Sequence, residues 1–232
     1  MQGVFITGTN TDVGKTYIGV LLARKLRQQN ITVIPRKPIE SGCTLENNEL
    51  IPHDAHALKE AAEYAGDLSE VCPYRFEPPI SPVRAAHLAN RVLSTEQLAQ
   101  ICTHGSENGF TIVEGAGGFY SPLAEDGLNA DLATALQLPV MLVTSDKLGC
   151  LNEVLLSVEA IKLRGLHLIG VAVSTKDDDI DNRMSNVADL REILTCPVIS
   201  IPHNGDESHF PDDFIDRLKA KTRNYGSPRL VG

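Results

Sequence analysis

The sequence predicts an α/β fold in which a mostly parallel central sheet is flanked by helices. Three observations carry that expectation. Short β-branched runs alternate with segments of helical periodicity, as in strand–helix–strand units. Several of the runs are apolar at consecutive positions, which a strand needs when helices cover both of its faces. The glycine-rich and charged segments stand directly after strands, where open parallel sheets hold their ligands.

The elements follow in order. Val4-Phe5-Ile6-Thr7 reads as the first strand, and Ile18, Leu21, Leu22 and Leu26 then share one face of a helix. Ile31-Thr32-Val33-Ile34, Phe110-Thr111-Ile112-Val113 and Val140-Met141-Leu142-Val143 read as the next three strands. Leu151, Val154, Leu155, Val158 and Ile161 mark a second amphipathic helix. Strands are expected again over residues 168–173 and 198–201. Residues 38–108 are less regular, broken by Pro52, Pro73, Pro78, Pro79 and Pro82, with helices expected near 53–64 and 82–88. That stretch reads as an insertion packed over one end of the sheet, so one domain is expected over residues 1–232.

Composition narrows the function. Thirty acidic residues against 21 basic ones leave a net charge of -9, which disfavours a general nucleic-acid binder. An anionic ligand would need a small site with its own local cations. Cys43, Cys72, Cys102, Cys150 and Cys196 are odd in number and form no C-x-x-C pair, against a disulfide framework or a zinc site. A reducing, cytoplasmic setting is the simpler expectation. No signal peptide is read at the N-terminus, and no apolar run is long enough to span a bilayer, so no membrane partner is expected.

The first strand runs into Gly8-Thr9-Asn10-Thr11-Asp12-Val13-Gly14-Lys15-Thr16, and a helix follows at once. Glycines let backbone N–H groups turn inward, and the helix N-terminus adds partial positive charge. Lys15 is placed to reach the β- and γ-phosphates of a nucleotide, and the Thr16 hydroxyl to ligate Mg2+. Together with the alternation of elements, this predicts a single-domain P-loop NTPase-type fold. Thr9 stands where such loops usually carry their first glycine.

Three further segments follow strands: Arg36-Lys37-Pro38-Ile39-Glu40-Ser41-Gly42, Val113-Glu114-Gly115-Ala116-Gly117-Gly118 and Lys147-Leu148-Gly149-Cys150. Glu114 at a strand end suits a magnesium ligand, though a carboxylate there can also cap a turn. Lys37 by itself could be a surface lysine. His53 and His56 share a helix face, but no third His or Cys is near, so Asp54 is the better oxygen ligand. Asp177-Asp178-Asp179 reads as a solvated turn.

Taken together, GTNTDVGKT, RKPIESG, the Asp54 helix, VEGAGG followed by SPL, LPVMLVTSDKLGC and the IP pair near residue 202 resemble the dethiobiotin synthetase family. The resemblance runs in order over nearly the whole chain. It implies an ATP- and Mg2+-dependent ligase that joins 7,8-diaminononanoate and CO2 through a carbamate and a carbamic–phosphoric anhydride. It implies Lys37, Lys15 and Thr11 at the reacting centre, and Thr16, Asp54 and Glu114 as magnesium ligands. Asp12, Val13, Gly14, Tyr17, Gly115, Ala116, Gly117, Ser174, Thr175, Pro202, His203 and Asn204 would complete the nucleotide site. Ser41, Gly118, Leu148, Gly149 and Asn152 would bind the diamine, the last three across the interface of a homodimer.

Two departures from the family pattern stand out. Asp12 replaces the usual Glu, and Ser174-Thr175 replaces an Asn-Asp pair that reads adenine. Hydroxyls read a base less selectively, so weak discrimination among nucleoside triphosphates is expected. The competing reading is an ATP-dependent switch of the MinD/ParA type. Such loops carry an extra early lysine where this chain has Thr9, Asn10 and Thr11, and residues 229–232 are too short for a membrane anchor. An amide-forming synthetase would need a glutaminase domain for which the chain has no room.

Overall fold

The computed structural model describes residues 1–175 and 184–224. The Asp177-Asp178-Asp179 turn and the C-terminal tail lie outside them. Strand β1 (Gly3–Gly8) leads into helix α1 (Lys15–Gln28) and then β2 (Val33–Arg36). Strand β2 begins two residues later than the apolar run suggests. The Ile31 N–H is still engaged by the Leu26 carbonyl at the end of α1, and Asn30 turns left-handed (φ 59°). Those residues therefore close the helix before the strand ladder starts at Val33 opposite Phe110.

The expected insertion holds β3 (Ile39–Ser41), β4 (Thr44–Glu46), β5 (Glu49–Ile51), α2 (His53–Ala61), α3 (Leu68–Val71), β6 (Tyr74–Phe76), α4 (Pro82–Leu88) and α5 (Thr95–Thr103). Helix α5 is absent from the periodicity reading, but its start is written locally: Ser94 and Gln97 form a capping box. Helix α2 stops short of residue 64 because Glu63 turns left-handed (φ 49°). Phe76, Ala85, Ala86, Leu98 and Cys102 belong to the same apolar cluster as Phe5 and Val113 of the central sheet. The segment thus shares the core of the sheet and adds a small apolar cluster of its own from Ala55, Val71 and Cys72.

After it come β7 (Phe110–Gly118), the small hairpin of β8 (Pro122–Ala124) and β9 (Gly127–Leu128), and α6 (Asn129–Leu136). The chain continues through β10 (Val140–Ser145), α7 (Cys150–Leu163), β11 (Leu168–Ser174), α8 (Asn186–Ile193), β12 (Val198–Ile201) and α9 (Asp212–Asn224). No helix among the described residues is long and apolar enough to cross a membrane.

The central sheet has six strands in the order β12-β11-β10-β1-β7-β2, and every neighbouring pair is parallel. Among the described residues, antiparallel pairing is confined to β4–β5 and β8–β9. Pro35, which has no N–H to give, lies in β2 at the edge of the sheet. The consecutive apolar residues do face both ways. Phe5, Val140 and Leu142 join one core cluster, while Val4, Ile6, Met141 and Val143 join the other with Ile18, Leu22, Phe214 and Leu218. Strands β2 and β7 lie on one side of β1, and β10 to β12 on the other. The carboxyl end of β1 is therefore a topological switch point, the place at which open α/β sheets receive their ligands.

Candidate active site

The phosphate loop curls tightly after β1. A Cβ on Gly8 would stand 2.7 Å from both the Asn10 carbonyl oxygen and Val13 Cγ2, so the first turn tolerates no side chain. Gly14 is left-handed (φ 96°) and would bring a Cβ within 2.9 Å of Ser174 Oγ. The glycine thus serves both the turn and the contact with β11. Thr9 is not among the left-handed residues of the loop, which explains how a threonine occupies the usual glycine position. Its hydroxyl donates within 3.1 Å of Thr144 Oγ1 and 3.2 Å of Glu153 Oε2, tying the loop to β10 and α7.

Lys15 is folded back over this loop, its Nζ donating to the Asn10 carbonyl at 3.0 Å. Burial pushes its ammonium down to about 8, with the Glu114 charge opposing and the Lys37 charge adding to the shift. Beside it, the Thr16 hydroxyl donates to Glu114 Oε1 at 2.8 Å. Glu114 lies in β7 at 1% exposure, and its other oxygen, Oε2, is buried with no hydrogen-bond partner.

Lys37 enters from the β2–β3 connection at 3% exposure. Its Nζ donates to Glu114 Oε1 at 2.5 Å and to Asp54 Oδ2 at 2.8 Å. Burial alone would lower the Lys37 ammonium, but Glu114, Asp54 and Glu40 together hold it well above its ordinary value. Burial raises the Asp54 carboxyl, yet Lys37, Thr16 and Lys15 leave it below the usual range. Lys37 is therefore a buried cation, not a surface lysine.

Thr11, Asp12, Gly14, Lys15, Thr16, Tyr17, Lys37, Ser41, Asp54, Ala116 and Gly117 line one cavity of about 320 Å³, together with Glu40. Val13, by contrast, turns its side chain into the core. Ser174 packs against Gly14 from β11, and the Tyr17 hydroxyl donates to the Gly205 carbonyl at 2.5 Å. Those contacts bring Thr175 and the exposed Pro202, His203 and Asn204 to the same side of the loop. Leu148, Gly149 and Asn152 do not line the cavity; they are exposed at the start of α7, Leu148 to 87%.

The glycine segment after Glu114 is held by a residue that the sequence reading did not single out. Asn129 is fully buried, and its Oδ1 accepts from the Ala116 N–H at 3.0 Å. Its Nδ2 donates to the carbonyls of Ala116, Gly118 and Ser121 at 2.7, 3.0 and 3.2 Å. A Cβ on Gly115 would stand 2.3 Å from Asn129 Oδ1, so Gly115 is glycine to admit this clasp. Gly118 passes the phosphate loop, where a Cβ would lie 3.1 Å from the Thr9 carbonyl oxygen.

Two carboxylates, one of them with an orphaned oxygen, and a hydroxyl are a ligand set that suits Mg2+, which binds one or two carboxylates and keeps several waters. Among the described residues, no group of three or more His, Cys, Asp or Glu side chains could hold a metal. The two helix histidines are engaged separately, His53 with the Thr44 hydroxyl at 2.8 Å and His56 with Glu60 at 3.6 Å.

A family model described as an AAA domain matches residues 2–207. An ATP-dependent dethiobiotin synthetase BioD of Cellvibrio japonicus is 37% identical over 201 residues, covering 86% of this chain and 88% of that protein. The protein of the same description from Anaeromyxobacter sp. (strain K) is 36% identical over 89% of this chain and 92% of its own length. Among solved structures, the septum site-determining protein MinD of Pyrococcus horikoshii, complexed with Mg-ADP, superposes over 97% of this chain and 98% of its own. Its TM-score is 0.53 at 13% identity, a likeness of fold alone. A signal recognition particle receptor FtsY of Elizabethkingia anophelis is covered over only 65% of its length, with a TM-score of 0.48 and 15% identity. The extent and level of identity to these synthetases show that the chain belongs to the dethiobiotin synthetase family.

Proposed function

We propose that this protein, as one domain over residues 1–232, closes the ureido ring of dethiobiotin from 7,8-diaminononanoate, CO2 and ATP, releasing ADP and phosphate. One amine adds to CO2 and loses a proton, leaving a carbamate. A carbamate oxygen attacks the γ-phosphorus, and the bond to the bridging oxygen of ADP breaks. The second amine then attacks the carbonyl carbon, and phosphate leaves as the ring closes.

The observation that carries this reading is the convergence of Lys15 and Lys37 on one small cavity lined also by Asp54, with Lys37 held by Asp54 and by the buried Glu114. Attack of a carbamate on a triphosphate brings anions together, and positioned cations lower that barrier most in a site shielded from water. Lys37 is held by two carboxylates, which fixes its ammonium at the mouth of the phosphate loop. Lys15 and the N-terminus of α1 take the β- and γ-phosphates. Thr11 and Ser41 stand at the cavity wall, where they can orient the diamine. Thr16, Asp54 and Glu114 would hold Mg2+, which neutralises the phosphates. The nucleotide base would lie against Ser174, Thr175 and Pro202-His203-Asn204.

A homodimer belongs to this reading. Leu148, Gly149 and Asn152, exposed at the start of α7, would reach the diamine tail in the partner's site. A cytoplasmic setting does too, supported by five free thiols. The test is phosphate release with ATP, Mg2+ and bicarbonate, with and without 7,8-diaminononanoate, and a search for dethiobiotin by mass. Diamine-dependent release with that product is expected. Hydrolysis indifferent to the diamine would overturn the reading in favour of an ATP-dependent switch.

A further inference from the structure

Helix α2 starts without a cap of its own. The residue before it is Pro52, whose side chain has no oxygen to offer the first turn. The free N–H groups at such an end need an acceptor. It comes from another strand. Glu40 in β3 accepts from the Asp54 N–H through Oε1 and from the Ala55 N–H through Oε2, both at 3.0 Å. Glu40 is 5% exposed, so water hardly competes for these bonds. A carboxylate here also meets the positive end of the helix dipole.

The position of this cap matters more than its contribution to the helix. Asp54, whose N–H it holds, sends its carboxylate to Lys37. The residue after Glu40 is Ser41, which lines the same cavity. One buried side chain therefore joins the strand that carries Ser41 to the helix that carries Asp54.

We propose that Glu40 is a positioning residue for the magnesium end of the site: by holding the first turn of α2 it fixes where the Asp54 carboxylate stands relative to Thr16 and Glu114. The inference rests on the reading of Asp54 as a magnesium ligand. Glu40 also lines the cavity and lends its charge to Lys37, but both of its oxygens are engaged by backbone N–H groups of α2, so its hold on Asp54 runs through that first turn. Partners that orient a ligand in this way commonly account for ten- to a hundredfold in metal affinity.

The experiment is calorimetric binding of ATPγS, with and without Mg2+, to the wild type, Glu40→Gln and Asp54→Ala. Glutamine keeps the shape but turns one acceptor oxygen into a donor that faces an N–H. The readout is the ratio of the two affinities, the Mg2+ enhancement. Asp54→Ala is expected to lose most of it. Glu40→Gln is expected to lower it by about tenfold, a larger loss with Mg2+ than without it. Glu40→Asp, which keeps the charge and is one methylene shorter, is measured alongside in case the glutamine variant does not fold. A wild-type enhancement in the folded Glu40 variants, with the loss confined to Asp54→Ala, would overturn the positioning role and leave the ligand reading standing. Equal weakening with and without Mg2+ would also overturn it, because that marks a purely structural role. An undiminished enhancement in Asp54→Ala would remove the ligand reading, and the role of Glu40 with it.

Discussion

The Lys37 ammonium bridges two carboxylates that come from different parts of the chain, Glu114 Oε1 at 2.5 Å and Asp54 Oδ2 at 2.8 Å. Glu114 is in β7 and Asp54 in the first turn of α2, so this one cation joins the sheet to the segment that covers it. The same two carboxylates are the proposed magnesium ligands. Lys37 therefore both neutralises them and, in the proposed reaction, faces the transferring phosphoryl group.

Lys37→Ala should lower turnover by roughly a hundred- to a thousandfold, the usual loss when one preorganised electrostatic group is removed. Nucleotide affinity should stay close to wild type, because Lys15 and the loop backbone remain. The variant should also be less stable by about 3 kcal/mol, since Glu114 is left buried without its partner. Stopped assays of phosphate release and denaturant unfolding measure the two effects. Normal turnover would take Lys37 out of the mechanism.

Asn129→Ala should loosen the glycine segment. The substitution takes from the Ala116 N–H and carbonyl the partner they now share. Each buried unsatisfied group costs about 1–3 kcal/mol, so a loss of about 3 kcal/mol is expected. Gly115→Ala should be comparably harmful, because its Cβ has no room beside Asn129. Urea midpoints would show this, and an unchanged midpoint for both variants would mean that the segment is held by other means.

Asp131, in the first turn of α6, gives a pH-dependent test. Its Oδ2 accepts from the Leu128 N–H at 2.7 Å and its Oδ1 from Arg164 at 2.5 Å. Burial raises its carboxyl, the largest single effect, but these two donors together bring it below the ordinary value. A carboxyl lowered in the folded state stabilises the protein above the unfolded value, about 3.9. That stabilisation is lost as the pH falls through the folded value. Asp131→Asn should therefore cost about 1 kcal/mol at neutral pH, the ion pair being partly exposed. The gap to wild type should narrow in acid. A gap that stays constant from pH 7 to pH 3 would mean that the charge of Asp131 contributes nothing.

The nucleotide preference should be broad. Ser174 is buried against Gly14, which leaves the half-buried Thr175 and the backbone of residues 202–204 to meet the base. Neither Ser174 nor Thr175 has the paired side-chain donor and acceptor with which an asparagine at that strand end reads adenine. Rates with CTP and GTP within about tenfold of the ATP rate are expected, since single hydroxyl contacts discriminate by only 1–2 kcal/mol. A strict requirement for ATP would show that other groups read the base.

Much of this molecule is legible in the sequence because its determinants are local. A strand covered on both faces is apolar at consecutive positions rather than alternate ones, and β1, β7, β10 and β11 carry such runs. The phosphate loop is one contiguous stretch, so Gly14, Lys15 and Thr16 can be identified from order and spacing alone. Helix α9 carries Phe214, Ile215 and Leu218 at helical spacing, a signal the sequence also holds. The strand order, which sets β10 and β7 on either side of β1, is not written in any short segment.

What tertiary structure alone decides is which polar side chains meet across the folded chain. Glu40 is a glutamate in a loop motif until β3 packs against α2, and only then do its oxygens find the Asp54 and Ala55 N–H groups. Asn129 becomes the clasp of the glycine segment only because α6 starts beneath β7. Thr9 takes a glycine's place because β10 and α7 bring Thr144 and Glu153 to its hydroxyl. A hydrophobic pattern is enforced by water, which every residue meets along the chain. A buried hydrogen bond depends on angles and distances between two elements, and those exist only once both are packed.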